Sequence, residues 1–270
     1  MALSGVARPS VMGIVNVTPD SFFAASRTGA TEDALTRGFE LQDLGCAIVD
    51  VGGESTRPGA HDVDVDEELH RVLAVVGALA QFGRVSIDTR KAPVARRCVA
   101  AGATVINDVS GTLLELAGEL GVGYVAMHSQ GSPATMQLAP HYDDVVDEVF
   151  SALEDMARRA RRAGVGDLWL DPGIGFGKSV SHNLALLAHT SQLVELADRY
   201  DAGVLVGTSR KRFLGALGPR ELGVDERLEG SLATEAWAIA SGAAMIRVHD
   251  AAVARQLCDL VARPLTAVGA

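Results

Sequence analysis

The sequence predicts an α/β chain folded as a single (β/α)8 TIM barrel, with an active site at the C-terminal ends of its strands. Three observations carry this: eight short β-branched runs, helix-periodic segments between them, and polar or glycine residues directly after nearly every run. The runs are Val11–Val15, Ala47–Val51, Val85–Asp88, Thr104–Asn107, Tyr124–Met127, Leu168–Leu170, Val204–Val206 and Met245–Val248. Strict alternation of strand and helix implies parallel strands joined by right-handed crossovers, and eight repeats allow closure. A doubly wound open sheet is the alternative. It would gather chemistry at one topological switch point, whereas here loaded residues follow strand after strand.

The elements justify themselves in order. After the second strand, Leu69, Val72, Leu73, Val76 and Leu79 recur at helical spacing on one face, with Asp64 and Glu67 placed as a capping box. After the fifth, a helix from near Asp143 to Arg162 buries Val146, Val149, Phe150, Leu153, Met156 and Ala157. It ends on the basic cluster Arg158 to Arg162, where the helix dipole favours cations. No linker or low-complexity stretch interrupts the chain, so residues 1–270 read as one domain, a length within the usual range of such barrels.

Composition narrows the function classes. Apolar residues make up 48% and aromatics only 4%, the small-side-chain mixture expected between strands and helices. A formal charge of -10 offers no bulk attraction to nucleic acid or an acidic membrane, so an anionic substrate must be held locally. Met1 to Ser10 lacks the apolar core of a leader and no later run would span a bilayer; the expected location is the cytoplasm. Cys46, Cys98 and Cys258 lack metal-ligand spacing and read as inert core thiols.

The strand ends carry Asn16, Gly52 to Gly59, Asp88, Asn107-Asp108, His128, Asp171-Pro-Gly173, Ser209 to Arg212 and Arg247 to Asp250. Asp88, Asn107 and Asp171 suit a planar heterocycle with adjacent N–H donors and a carbonyl, because carboxylates accept while an amide both donates and accepts. Buried carboxylates need partners, so the ligand is expected to supply the donors. Opposite them, Arg57, Lys211, Arg247 and His249 make a local cationic patch for a phosphate or diphosphate. Asp171 to Lys178 is one residue short of a phosphate loop of the Walker type and is not a dinucleotide fingerprint. Its glycines read as a tight turn that lets a flat ligand approach the backbone.

Taken together, Met12-Gly-Ile-Val-Asn-Val-Thr-Pro-Asp-Ser-Phe22, Asp50-Val-Gly-Gly-Glu-Ser-Thr-Arg-Pro-Gly59, Ser86-Ile-Asp-Thr89, Ile106-Asn-Asp-Val-Ser110, Asp171-Pro-Gly-Ile-Gly-Phe-Gly-Lys178, Ser209-Arg-Lys-Arg-Phe213 and Arg247-Val-His-Asp250 resemble, in order and nearly end to end, the motifs of the dihydropteroate synthases. That family, the target of sulfonamides in folate biosynthesis, joins (7,8-dihydropterin-6-yl)methyl diphosphate to 4-aminobenzoate. The resemblance implies Mg²⁺ held by Asn16, and diphosphate contacted by Arg57, Arg247 and His249. It implies a pterin edge gripped by Asp88, Asn107 and Asp171, with Lys211 at the ring carbonyl and Phe176 among the substrate-binding residues. Phe22, Thr56, Pro58 and Ser209 would shape the aminobenzoate site, and a homodimer is implied. The family's Ser-Asp-Gly-Gly type stretch is Phe23-Ala-Ala-Ser26 here, so Ala24 replaces the loop carboxylate and Asp20 is the candidate to take its part. A corrinoid-type pterin methyltransferase needs no diphosphate patch, so Ser209-Arg-Lys211 and Arg247-Val-His249 weigh against it. A silent pterin-binding paralogue is the remaining alternative, opposed by the full set of strand-end residues.

Overall fold

Eight strands pair in parallel, each with the next in sequence and β8 with β1, to close a barrel in the computed structural model of the chain. The structure describes residues 9–17, 27–55, 62–131, 135–218 and 220–261. The strands are β1 (Ser10–Asn16), β2 (Ile48–Gly52), β3 (Val85–Asp88), β4 (Val105–Asp108), β5 (Gly123–Met127), β6 (Leu168–Asp171), β7 (Gly203–Val206) and β8 (Met245–Val248). All eight predicted runs are strands, most shifted by a residue or two at an end, where fraying makes boundaries soft.

Around them lie α1 (Arg27–Asp43), α2 (Val65–Leu79), α3 (Ala92–Ala100), α4 (Leu114–Leu120), α5 (Val145–Arg162), α6 (Val180–Ala188), α7 (Thr190–Asp198), α8 (Arg212–Gly215), α9 (Leu228–Ala240) and α10 (Ala251–Val261). Asp64 caps α2 by accepting from the Glu67 amide at 2.8 Å. The reciprocal half of the predicted capping box is absent: Glu67 instead accepts from Arg71 Nε at 3.0 Å. Asp144 caps α5, accepting from the amides of Val146 and Asp147. In the basic cluster at the other end of α5, Arg161 donates to the carbonyls of Val165, Gly166, Tyr200 and Asp201, so this cation staples the N-terminal face of the barrel.

Period-two alternation along the strands divides the interior into a plug and a mouth. Met12, Ile48, Val105, Val125, Leu205 and Met245 pack with Trp169 into an apolar layer that fills the barrel. Two residues further along stand Asn107, Met127, Asp171 and Arg247, which line the mouth, with Asp50 buried beneath them and Gly207 just past β7. Steps of two keep a side chain on the same face, so the plug dictates that these groups point into the mouth. Residues of the other parity, such as Val49, Val51, Ile106, Ala126 and Leu170, meet the helices in the larger core between barrel and shell. Cys98 and Cys258 lie in that core, while Cys46 is only half-buried. Burial pushes the thiols of Cys46 and Cys98 up, to about 11 and about 12, which keeps them protonated and inert.

The start of the β2–α2 connection is pinned by an ion cluster. Lys91 Nζ donates to Glu54 Oε2 at 2.7 Å and to Glu68 Oε2 at 2.6 Å, while Arg90 also binds Glu54. Glu54 accepts from the Val63 amide at 3.1 Å, joining the two stems of the connection. Glu68 is fully buried and its Oε1 finds no hydrogen-bond partner among the described residues. Removing the cation from such a pair strands buried charge, so Lys91→Met is expected to destabilise the fold by about 3–5 kcal/mol. A urea melt checks this; a loss below about 1 kcal/mol would place the cluster among ordinary exposed ion pairs.

Candidate active site

The groups that emerge from the plug enclose a cavity lined by Asp88, Asn107, Val109, Met127, Asp171, Phe176, Gly207, Lys211 and Arg247. Five of the site residues expected from sequence thus share one wall with Phe176. Asn16 sits exposed at the end of β1, beside Gly52 in the strand register. Ser209 and His249 adjoin at the ends of β7 and β8, where Ser209 Oγ lies 3.1 Å from the His249 amide and 3.2 Å from Nδ1. Phe22, Thr56, Arg57, Pro58, Ala24 and Asp20 lie outside the described residues.

The geometry corrects the expectation of carboxylates on one side and cations on the other. Arg247 lies among the carboxylates: its Nε donates to Asp50 Oδ2 and its Nη2 to Asp88 Oδ2, each at 2.7 Å. Donors that were expected from a ligand alone are therefore furnished by the protein too. Asn107 Nδ2 donates to Asp50 Oδ2 at 2.9 Å, and Asp171 Oδ1 accepts from the Gly173 amide at 2.7 Å. Asp50 was not among the expected site residues. Its signal was present: a charged residue inside the otherwise apolar strand Ile48-Val-Asp-Val-Gly52, on the inward parity of Ile48.

The Asp171–Lys178 loop turns as expected, but for a different reason. Gly173 has φ +65°, and a Cβ there would stand 1.8 Å from the His128 carbonyl oxygen; at Gly177 it would stand 2.4 Å from that of Gln130. The close approach is made by the chain's own β5–α5 connection, not reserved for a ligand. Lys178, a loop residue that sequence reasoning left without a role, is buried with its Nζ 3.0 Å from His128 Nδ1 and 3.1 Å from the Phe176 carbonyl. Burial lowers the Lys178 ammonium to about 7 and, with Lys178 beside it, the His128 imidazole to about 3. His128 is thus neutral.

Burial dominates the electrostatics at the mouth. It pushes the Asp88 carboxyl up to about 7 against the pull of Arg247, with Asp50 and Asp108 adding to the rise. Asp171 is raised by the same cause and held back by Lys211 and the Gly173 amide. Burial lowers the Lys211 ammonium to about 8, with Asp171 opposing. Lys211 donates to the Ile174 carbonyl and stands 4.5 Å over the Phe176 ring, a cation–π contact that fixes both at the rim. The turn holding Lys211 is locked from behind: Arg210 forks onto Asp250, with Nε and Nη2 each at 2.8 Å, and reaches Asp225 with Nη1. Arg210 pays for this with φ +55°. Asp108 is occupied structurally, accepting from Ser110, Leu113 and Tyr124 at the head of α4.

Carboxylates at the ends of β3 and β6, an amide on β4, a lysine after β7 and an arginine on β8 line one cavity. The family model for "Pterin binding enzyme" matches residues 12–249. The Escherichia coli (strain K12) dihydropteroate synthase is 45% identical over 253 residues, covering 91% of this chain and 88% of that one. The chain belongs to the dihydropteroate synthase family of pterin binding enzymes. The crystal structure of the Yersinia pestis dihydropteroate synthase with a sulfonamide drug complex superposes with TM-score 0.86 at 39% identity, covering 97% of each chain. That of the Xanthomonas albilineans dihydropteroate synthase with 7,8-dihydropteroate gives 0.81 at 40% identity, covering 94% and 93%.

Proposed function

We propose the following division of labour for the reaction of this family, the condensation of (7,8-dihydropterin-6-yl)methyl diphosphate with 4-aminobenzoate to 7,8-dihydropteroate and diphosphate. Asp88, Asn107 and Asp171 bind the N–H-bearing edge of the pterin, and Lys211 donates to its ring carbonyl. Arg247 and His249, with Arg57, take the diphosphate. Ser209, Thr56, Pro58 and Phe22 shape the aminobenzoate site, and Phe176 packs at the rim. The observation that carries this reading is the convergence of a buried and a half-buried carboxylate, an amide, a lysine and an arginine on one cavity.

In the reaction, the bond from the pterin methylene to the diphosphate oxygen breaks and a bond to the aniline nitrogen forms, with loss of one amine proton. Positive charge spreads into the pterin as diphosphate leaves, and the carboxylates of Asp88 and Asp171 stabilise it in a low-dielectric site where such interactions are strong. Exclusion of water keeps the amine as the trapping nucleophile.

Mg²⁺ fits as a ligand-sharing ion. The described residues hold no cluster of three His, Cys, Asp or Glu, and Asn16 offers one hard carboxamide oxygen at the exposed end of β1. One protein oxygen plus substrate phosphates and water is a usual Mg²⁺ environment. When bound, the ion would neutralise charge on the departing diphosphate.

Incubation with both substrates and Mg²⁺, following diphosphate and dihydropteroate, tests the proposal with Asp171→Ala as control. Product lost in the control supports it; pterin binding without product would point to a silent paralogue. The pH profile of kcat/KM is expected to be a narrow bell. Asp88 must be ionised to accept, which builds the acid limb near 7; Lys211 must stay protonated to donate, which sets the alkaline limb near 8. A profile flat from about pH 5 to 9 would remove both groups from substrate binding.

We further propose a single domain over residues 1–270, a cytoplasmic location and a homodimer. No helix among the described residues is long and apolar enough to cross a membrane. Trp237 on α9 and Leu184 on the neighbouring α6 are exposed, and an apolar patch of this kind suits a subunit contact. Light scattering of the purified chain should report twice the monomer mass.

A further inference from the structure

Asp50 lies within β2, is inaccessible to solvent, and takes two donors on a single oxygen: Asn107 Nδ2 at 2.9 Å and Arg247 Nε at 2.7 Å. Its other oxygen, Oδ1, is buried and finds no partner among the described residues. Burying a carboxylate on such terms costs stability, so packing does not account for the group. Its consequence for the site does. A carboxylate only accepts, and an amide facing one must turn its NH2 toward it. The Asn107 amide therefore has one orientation, with its oxygen left for the cavity that it lines with Asp88 and Asp171.

We propose that Asp50 is a positioning residue that converts Asn107 from a two-way group into a dedicated acceptor. The ends of β3, β4 and β6 then present oxygen alone to the ligand. Such a wall selects the edge of the heterocycle that carries N–H groups and rejects one that carries lone pairs. A flipped amide would aim two donors at the ligand's own donors while stranding its oxygen against Asp50. Specificity for the pterin edge is in this way set one layer beneath the residues that touch it. The inference rests on the reading of this cavity as the pterin site.

The test is a double-mutant cycle read by calorimetric titration of 6-hydroxymethylpterin into the full chain, with thermal melts to verify folding. Asp50→Leu puts methyl groups where the carboxylate oxygens stand and frees the Asn107 amide to turn; affinity is expected to fall about 10–100-fold. Asn107→Asp alone sets two carboxylates against each other and should lose a similar amount. Asp50→Leu combined with Asn107→Asp should recover affinity to within about fivefold of the parent, because the introduced carboxylate accepts whichever way it turns and the cluster keeps its charge. A double variant that binds no better than the weaker single overturns the proposal.

Asp50→Asn provides a second route that does not depend on Asp50→Leu folding. Its amide oxygen can still accept from both donors, so binding should stay within about tenfold of the parent. Loss of binding in a folded Asp50→Asn protein would show that charge, not acceptor polarity, is what matters. A parent chain that is folded yet binds no pterin removes the pterin assignment and this inference together, whereas parent binding without rescue removes the inference alone.

Discussion

Asp171→Asn is expected to lower kcat/KM about a thousandfold while leaving the barrel folded. The carboxyl is nearly inaccessible, at 4% exposure, and is anchored by the Gly173 amide, with Lys211, Arg247 and Lys178 as cations acting on it. Asparagine keeps the shape but replaces one acceptor oxygen with a donor pointed at the ligand's N–H groups, and deprives Lys211 and the buried Lys178 of a counter-charge. Hydrogen bonds to charged groups contribute about 1.5–3 kcal/mol each, and two lost together correspond to about a hundredfold to ten-thousandfold. The loss should divide between the two parameters. KM rises because ground-state contacts to the pterin go, and kcat falls because the carboxylate opposes the positive charge that develops as diphosphate departs. Steady-state kinetics with a thermal melt separate this from misfolding; a folded variant within tenfold of the parent would mean that Asp171 does not touch the substrate.

Much of this site is legible in sequence because strand parity is legible. A run such as Val105-Ile-Asn107 needs only its alternation to place Val105 in the plug and Asn107 in the mouth, and the same holds for Trp169 and Asp171 or for Met245 and Arg247. What sequence does not convey is pairing across the barrel. Arg247 and Asp50 are 197 residues apart, and nothing in either motif says that the guanidinium will settle between Asp50 and Asp88 instead of forming a separate cationic patch. Asp50 is harder to read because its charge is lodged within a strand, not among the polar residues that follow one. Lys178 is hard to read for the opposite reason: in a glycine-rich loop it resembles a phosphate ligand, and only the proximity of His128 shows it holding the loop to its neighbour. The glycines of that loop turn it as the sequence predicts, but the objects that crowd Gly173 and Gly177 are the carbonyls of His128 and Gln130, which only the tertiary fold brings near.

Arg247 is where fold and function draw on one group, and its removal should be felt in both. It neutralises Asp50 and Asp88 at once, so Arg247→Met leaves the buried Asp50 and the half-buried Asp88 without that cation. Removing one partner of a buried ion pair costs about 3–5 kcal/mol, which for a chain of this size lowers Tm by about 6–20 °C. The pH dependence discriminates the cause. Asp88 is already raised to about 7 in the folded chain, above its unfolded value, and loss of Arg247 raises it further. A group whose folded pKa lies above the unfolded one contributes stability below the unfolded pKa and forfeits it as pH climbs through the folded value. The deficit of Arg247→Met relative to the parent should therefore be larger near pH 8 and shrink as pH falls toward 5, where the Asp88 carboxyl takes up its proton. Arg247→Lys should fall between, since one ammonium cannot reproduce two donors, Nε and Nη2, directed at different carboxylates. An equal deficit at both pH values would mean that Arg247 supports the fold through packing alone. The expected result would instead identify the arginine as the internal counter-charge that opposes the rise of the Asp88 carboxyl.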